Sequence, residues 1–401
     1  MATAEILPVD RVEYSTERRH FYRPELDGLR FCAFLAVYIC HSIPNAAVET
    51  SRLHNNVLIR LLAAVKDAGN FGVCLFFMLS AFLITELLRQ EQEAFGSIHV
   101  GSFYLRRILR IWPLYFGVII AYAVGGHYFP ALRMERGRII SYFLLAGNWY
   151  IALHPWIQTP LRSLWSISVE EQFYFVWPLL ACCGGMRLLA KAAFVIVPIS
   201  FIAITMIAAN KVYAYNTVWL SSFTQFQFFA WGGLLSLALG GRIPKLNAAL
   251  RVASGFGGIA LWLFAAYATG IKRPGGQSSA IEFCLGYLLV AAGCLFLLLA
   301  VLGVNSRRIP TPMISLGKIS FGLYVFHETA FLLIDEAQKH FALLTPSILT
   351  WSSQHSMMAL LLNKLFALDA TILLAMFSYR FWEKPFLCLK GRVTWIQSRT
   401  I

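Results

Sequence analysis

Arg30 and His41 stand eleven residues apart in a stretch that is otherwise apolar, Phe31-Cys-Ala-Phe-Leu-Ala-Val-Tyr-Ile-Cys40. On an α-helix eleven steps of ~100° return the chain to within ~20° of its starting direction, ~16 Å further along, so the two share one face. Arginine is a permanent cation and imidazole the side chain that titrates near neutrality. Both are costly among lipid unless they face a protein interior or a wet cavity, which makes them functional by default. Read alone, the pair also fits an arginine that snorkels to headgroups and a histidine that satisfies one polar neighbour. Asp27, one turn before Arg30, is placed both to cap this helix and to pair with the guanidinium.

A second group begins Tyr104-Leu-Arg-Arg-Ile-Leu-Arg-Ile-Trp-Pro-Leu-Tyr115, with Arg107 and Arg110 three apart on one helical face. Paired guanidinium groups hold phosphate bidentately, although the same pattern serves as basic flanking against lipid headgroups. A third is Leu164-Trp-Ser-Ile-Ser-Val-Glu-Glu-Gln-Phe-Tyr-Phe-Val-Trp-Pro178. Its acids Glu170 and Glu171, with Ser166, Ser168 and Gln172, lead into an apolar run and are expensive to desolvate without partners. A Glu beside a neutral imidazole fixes its tautomer and stabilises its cation, which is what a general base requires; acids at a helix N-terminus also suit the dipole there. His327 and Glu328 are further polar insertions, with His327 reading as structural, and Glu383 is placed for an ion pair near the inner face. No Walker-type phosphate loop, GxSxG elbow, HExxH or His/Cys/Asp cluster with metal-ligand spacing is present, so no metal is expected.

The elements that must carry these residues follow from composition. Of 401 residues 58% are apolar and 13% charged, and the mean hydropathy is +0.63, far from a water-soluble domain. Eight cysteines, with Cys182 and Cys183 adjacent in an apolar run, read as packing residues. The net charge of +14 reads as membrane topology and not as nucleic-acid binding.

A membrane helix needs about 20 apolar residues. Uncharged runs over 31–48, 68–85, 111–132, 172–186, 192–210, 212–241, 252–271 and 283–306, with 319–334 and 365–379 carrying one acid each, predict about ten transmembrane helices. Residues 139–153 are short for a crossing and are expected to be re-entrant or interfacial. The fold class is therefore all-α, a polytopic membrane bundle: a cytoplasmic N-terminal tail (1–25, with no apolar leader), a membrane domain (26–388) and a cytoplasmic C-terminal tail (389–401). Both ends inside places about two thirds of the Lys and Arg on the cytoplasmic side, as the positive-inside rule requires.

Together these segments resemble the acyltransferase 3 family of integral membrane acyltransferases. The resemblance rests on Pro24-Glu-Leu-Asp-Gly-Leu-Arg30 with His41, Phe76-Phe-Met-Leu-Ser-Ala-Phe-Leu-Ile-Thr85, the Arg107/Arg110 pair, Trp165-Ser-Ile-Ser-Val-Glu-Glu-Gln-Phe-Tyr174, Ile319-Ser-Phe-Gly-Leu-Tyr-Val-Phe-His327 and Glu383-Lys-Pro385. Ser80-Ala81 replaces the family's Ser-Gly, and Phe321 its usual Tyr. The resemblance implies acyl-CoA, usually acetyl-CoA, as cytoplasmic donor and an outer-side hydroxyl of a carbohydrate or lipid-linked sugar as acceptor, in a bacterial inner membrane. By position it makes His41 the catalytic base, Arg30 its motif partner, Glu170 the matched acid, and Arg107 and Arg110 contacts to donor phosphate. An extracytoplasmic hydrolase-like domain, present in some members, would here be a separate partner protein. The rival reading is a transporter in which Arg30, His41 and Glu170 line a proton or substrate path.

Overall fold

Long apolar segments satisfy their backbone polar groups only by coiling into helices, and every regular element among the described residues of the computed structural model is helical. The structure describes residues 22–43, 57–154, 159–209, 214–269, 271, 278–344 and 356–390. Most of both expected tails lies outside them. The main helices are α1 (Pro24–Ser42), α2 (Val57–Gly69), α3 (Phe71–Phe95), α4 (Val100–Tyr128), the short α5 (Arg136–Phe143) and α6 (Gly147–Leu153), α7 (Trp165–Ala209), α8 (Ala214–Leu220), α9 (Ser222–Leu239), α10 (Ala248–Phe264), α11 (Ala280–Val301), α12 (Thr311–Lys318), α13 (Ser320–Leu344), α14 (Ser356–Ser378) and α15 (Lys384–Lys390).

Among the described residues six segments are long and apolar enough to cross a membrane: Arg60–Phe95, Val100–Tyr128, Arg162–Ala209, Ala248–Thr269, Ala280–Val301 and Met358–Leu389. That is fewer than the ten expected, and the reasons are local. The runs 172–186 and 192–210 are two helices joined end to end across a kink within α7, whose 45 residues would reach ~68 Å if straight, over twice an apolar bilayer core. Gly185, at φ 61° and ψ −161°, breaks the rod. Only glycine adopts that backbone region without strain. The helices α1 and α13 fall short of full apolarity because they carry Glu25, Asp27, Arg30 and His41, and His327, Glu328, Asp335 and Glu336.

Helix α3 is the central post, packed by α1, α7 and α9. The close approach needs small residues: a Cβ on Gly72 would stand 2.4 Å from Ala33 O, and one on Gly232 2.2 Å from Met78 O. The α10 segment and the C-terminal α14 lie at the periphery, presenting Phe256, Leu373 and Phe377 outward. A second apolar cluster, Phe34, Tyr38, Leu323, Phe331, Ala367 and Ala375, fastens α1 to α13 and α14.

The short segment at 139–153 folds as two short helices, α5 and α6. Leu145, at φ 55°, turns the chain between α5 and α6. Its exposed carbonyls find partners. Gln172 Nε2 donates to Leu145 O at 2.8 Å and Tyr115 Oη to Tyr142 O at 2.9 Å, while Asn148 Nδ2 of the same segment donates to Leu220 O of α8 at 3.0 Å. Irregular backbone at membrane depth is tolerated only with such internal satisfaction. All eight cysteines are free thiols.

Candidate active site

Helix α1 starts at Pro24 with Arg23 as its cap residue. Asp27 therefore sits inside the first turn and does not cap the helix. It does pair with Arg30, at 3.1 Å. Three turns on, His41 faces α13, where it meets His327 and Glu328.

His41 Nδ1 lies 2.8 Å from His327 Nε2 and 3.0 Å from Glu328 Oε1. The two imidazole planes lie 12° from parallel with centroids 5.1 Å apart, so the rings meet edge to edge through these nitrogens. His327 is fully buried, flanked edge-on by Phe34 and Phe331. Arg162, just ahead of α7, places Nε at 2.8 Å and a terminal nitrogen at 2.7 Å from Glu328 Oε1. The order is thus guanidinium, carboxylate, imidazole, with a second imidazole alongside.

Hydrogen-bond chemistry fixes the tautomers. His327 Nδ1 is 2.6 Å from Tyr324 O, and a carbonyl only accepts, so Nδ1 carries the proton and Nε2 is a lone pair. His41 Nδ1 must then donate toward that lone pair and toward Glu328. Neutral His41 keeps its own lone pair on Nε2, on a side chain still 20% exposed. An imidazole arranged in this way can accept a proton at Nε2 while a carboxylate supports the resulting cation.

The acid that meets His41 is therefore Glu328, and neither Glu170 nor Glu171. Glu170 accepts from Ser80 Oγ and Tyr174 Oη, and Glu171 accepts from Trp112 Nε1 at 2.8 Å. Period and spacing cannot reveal a contact across 286 positions; the available signal was a His-Glu pair interrupting an apolar run. Arg162 gave less, since it reads as one more loop cation.

Glu170 belongs to a second cluster. The guanidinium of Arg107 lies over the Tyr174 ring at 5.1 Å and over Phe103 at 5.5 Å. Arg110 lies within charge-attraction range of Glu383, whose carboxylate also accepts from Ser378 Oγ at 3.0 Å. Between the two clusters stands Tyr324, whose hydroxyl bonds Ser166 Oγ at 2.8 Å and Ser163 O at 3.0 Å, within electrostatic reach of both Glu328 and Glu170. Arg30 is set apart, at the other end of α1 from His41.

The family model described as an acyltransferase domain, acyltransferase 3, matches residues 23–377. The chain belongs to that family. Over 166 residues it is 31% identical to the peptidoglycan O-acetyltransferase OatA of Listeria monocytogenes, covering 39% of this chain and 24% of that protein. YrhL of Bacillus subtilis, named provisionally as a peptidoglycan O-acetyltransferase, is 30% identical over 188 residues, 45% of this chain and 27% of its own. SAS0844 of Staphylococcus aureus, named provisionally as an O-acetyltransferase, is 33% identical over 170 residues, 40% of this chain and 24% of its own. The match spans about a quarter of the length of these curated relatives. No solved structure matches the chain. Family membership and the six apolar helices make this a multi-pass membrane protein.

Proposed function

We propose that this member of the acyltransferase 3 family transfers an acyl group, most simply acetyl, from acyl-CoA at the cytoplasmic face to a carbohydrate hydroxyl at the outer face, with both chain ends cytoplasmic. The observation that carries the reading is the arrangement of His41, its Nδ1 occupied by His327 and Glu328 and its Nε2 left as a lone pair. The acceptor hydroxyl gives its proton to Nε2 as its oxygen attacks the thioester carbonyl carbon. The tetrahedral intermediate collapses with loss of the CoA thiolate, which takes the proton back from His41. A second route has Nε2 attack the thioester carbonyl and expel the CoA thiolate; the acceptor hydroxyl then attacks the acyl-imidazole, its oxygen taking the acyl group, the carbon–nitrogen bond breaking and its proton passing to the thiolate.

Within this reading Glu328 and Arg162 position and support the imidazole. Arg107 and Arg110 meet the donor's phosphates, and Glu170, held by Ser80 and Tyr174, organises the space beside Arg107. Base catalysis of this kind is worth roughly 10²- to 10⁴-fold, so orientation of the two substrates supplies much of the remainder. The relatives named for peptidoglycan O-acetylation support a cell-wall polysaccharide as acceptor class. The test is to reconstitute the purified chain in nanodiscs with labelled acetyl-CoA and muropeptide or oligosaccharide acceptors. Label on the sugar, absent with His41→Ala, is expected; wild-type protein that neither transfers nor hydrolyses the thioester removes the reading.

A further inference from the structure

The contact of α1 with α13 brings three donor atoms into the shape of a metal site. His41 Nδ1, His327 Nε2 and Glu328 Oε1 lie within 4.8 Å of one another, with separations of 2.8, 3.0 and 3.8 Å. The point equidistant from three atoms so spaced is about 1.9 Å from each, within reach of bonds of ~2.0–2.1 Å; the shortest edge must open and the longest close for the three to form a tetrahedral face with edges of ~3.3 Å. An ion at bonding distance would stand slightly off that plane, with a fourth position open.

Donor chemistry selects the ion. Two imidazole nitrogens and one carboxylate oxygen suit Zn²⁺ and its neighbours, whereas Ca²⁺ and Mg²⁺ seek six or more oxygens. The outer shell is built as well. His327 donates Nδ1–H to Tyr324 O at 2.6 Å, which fixes the ring and directs its Nε2 lone pair at the cluster, as metal-bound histidines require. His327 is wholly buried, while His41 is partly exposed and gives the ion a way in. Arg162 opposes: two of its three guanidinium nitrogens lie on the same Glu328 oxygen, so the ion shares that oxygen with a cation, which weakens binding.

We propose that His41, His327 and Glu328 form a three-ligand site for a transition-metal dication of the Zn²⁺ class. Binding replaces the proton shared by the two imidazoles. A neutral imidazole holds one ring proton, so with metal on Nδ1 of His41 that proton stands on Nε2. Metal-bound His41 therefore has no lone pair to act as base. This consequence rests on the acyl-transfer reading; the binding itself does not.

The test uses the intact chain in nanodiscs, checked for monodispersity by size exclusion. Co²⁺ serves as spectroscopic probe and Zn²⁺ as competitor, followed by calorimetry. One equivalent is expected, with the visible absorption of tetrahedral Co²⁺. His327→Ala and Glu328→Gln should each weaken binding about 100-fold or more, and Arg162→Gln should tighten it. Glu328→Asp, which keeps a carboxylate, should retain binding and guards against simple misfolding. Absence of stoichiometric binding by wild type, or binding undiminished in both ligand variants, overturns the site. In the acetyl-transfer assay, Zn²⁺ should inhibit and EDTA restore. Bound metal without inhibition removes the exclusion, while metal-free protein that transfers nothing removes the acyl-transfer reading and leaves the binding result intact.

Discussion

The two polar clusters in this bundle are built on opposite plans. Around His41 the partners come from distant parts of the chain, α1, α13 and the turn before α7, and every one is ionisable. Around Glu170 two of the principal groups, Glu170 and Tyr174, are one helical turn apart on α7, joined by Ser80 from α3 and Arg107 from α4. The first arrangement assigns different tasks to the two nitrogens of one imidazole, which requires several fixed neighbours at once. The second displays a cation from α4 beside a carboxylate held by one group of its own helix and one from α3.

If the division is real, substitutions in the two places should injure different steps. The largest effect belongs to His41→Ala, expected to lower turnover by roughly 10²- to 10⁴-fold with donor affinity little changed, read from initial rates of labelled acetyl transfer. Glu328→Gln should follow, at about 10²-fold in turnover, because the amide leaves the imidazolium without a counter-charge. Glu170→Gln should cost turnover less. The reverse order would show that the two carboxylates have been given each other's parts.

On the donor side, replacing Arg107 and Arg110 together by Gln should raise the KM for acetyl-CoA by about 10- to 100-fold, since a charge-assisted hydrogen bond contributes ~1.5–3 kcal/mol. A turnover that falls instead, with KM held, would move the pair out of donor binding. Tyr174→Phe removes one hydrogen bond to Glu170, ~1 kcal/mol or about fivefold, and should appear in the donor KM first. The smallest effect is expected outside both clusters. Gly185→Ala forces a side chain into a positive-φ position at a cost of ~1 kcal/mol, visible as a lower thermal midpoint with transfer rate preserved.

Much of the fold could be read directly from residue order. The apolar runs and the Asp27–Arg30 pair follow from length, periodicity and one-turn spacing. The apolar runs alone do not settle the number of spans, because a single glycine in α7 decides whether two runs are one rod or two arms. His41 was legible as an expensive residue on an apolar helix. Its acid was not: Glu170 lay in the most polar segment and drew the assignment, while Glu328 looked like an incidental insertion.

The amino-acid order alone determined that the chain must bury itself in a membrane as helices and that a handful of ionisable groups, Arg30, His41, Arg107, Glu170 and Glu328 among them, would need partners there, because desolvation penalties depend only on residue type and surroundings. Which partner each found was left to tertiary packing. The meeting of α1 with α13 depends on how Phe34, Tyr38, Leu323 and Phe331 fit together, and no helical period connects positions 41 and 328. Contacts within a helix are set by geometry that repeats every turn; contacts between helices are set by shape, which only the folded chain possesses.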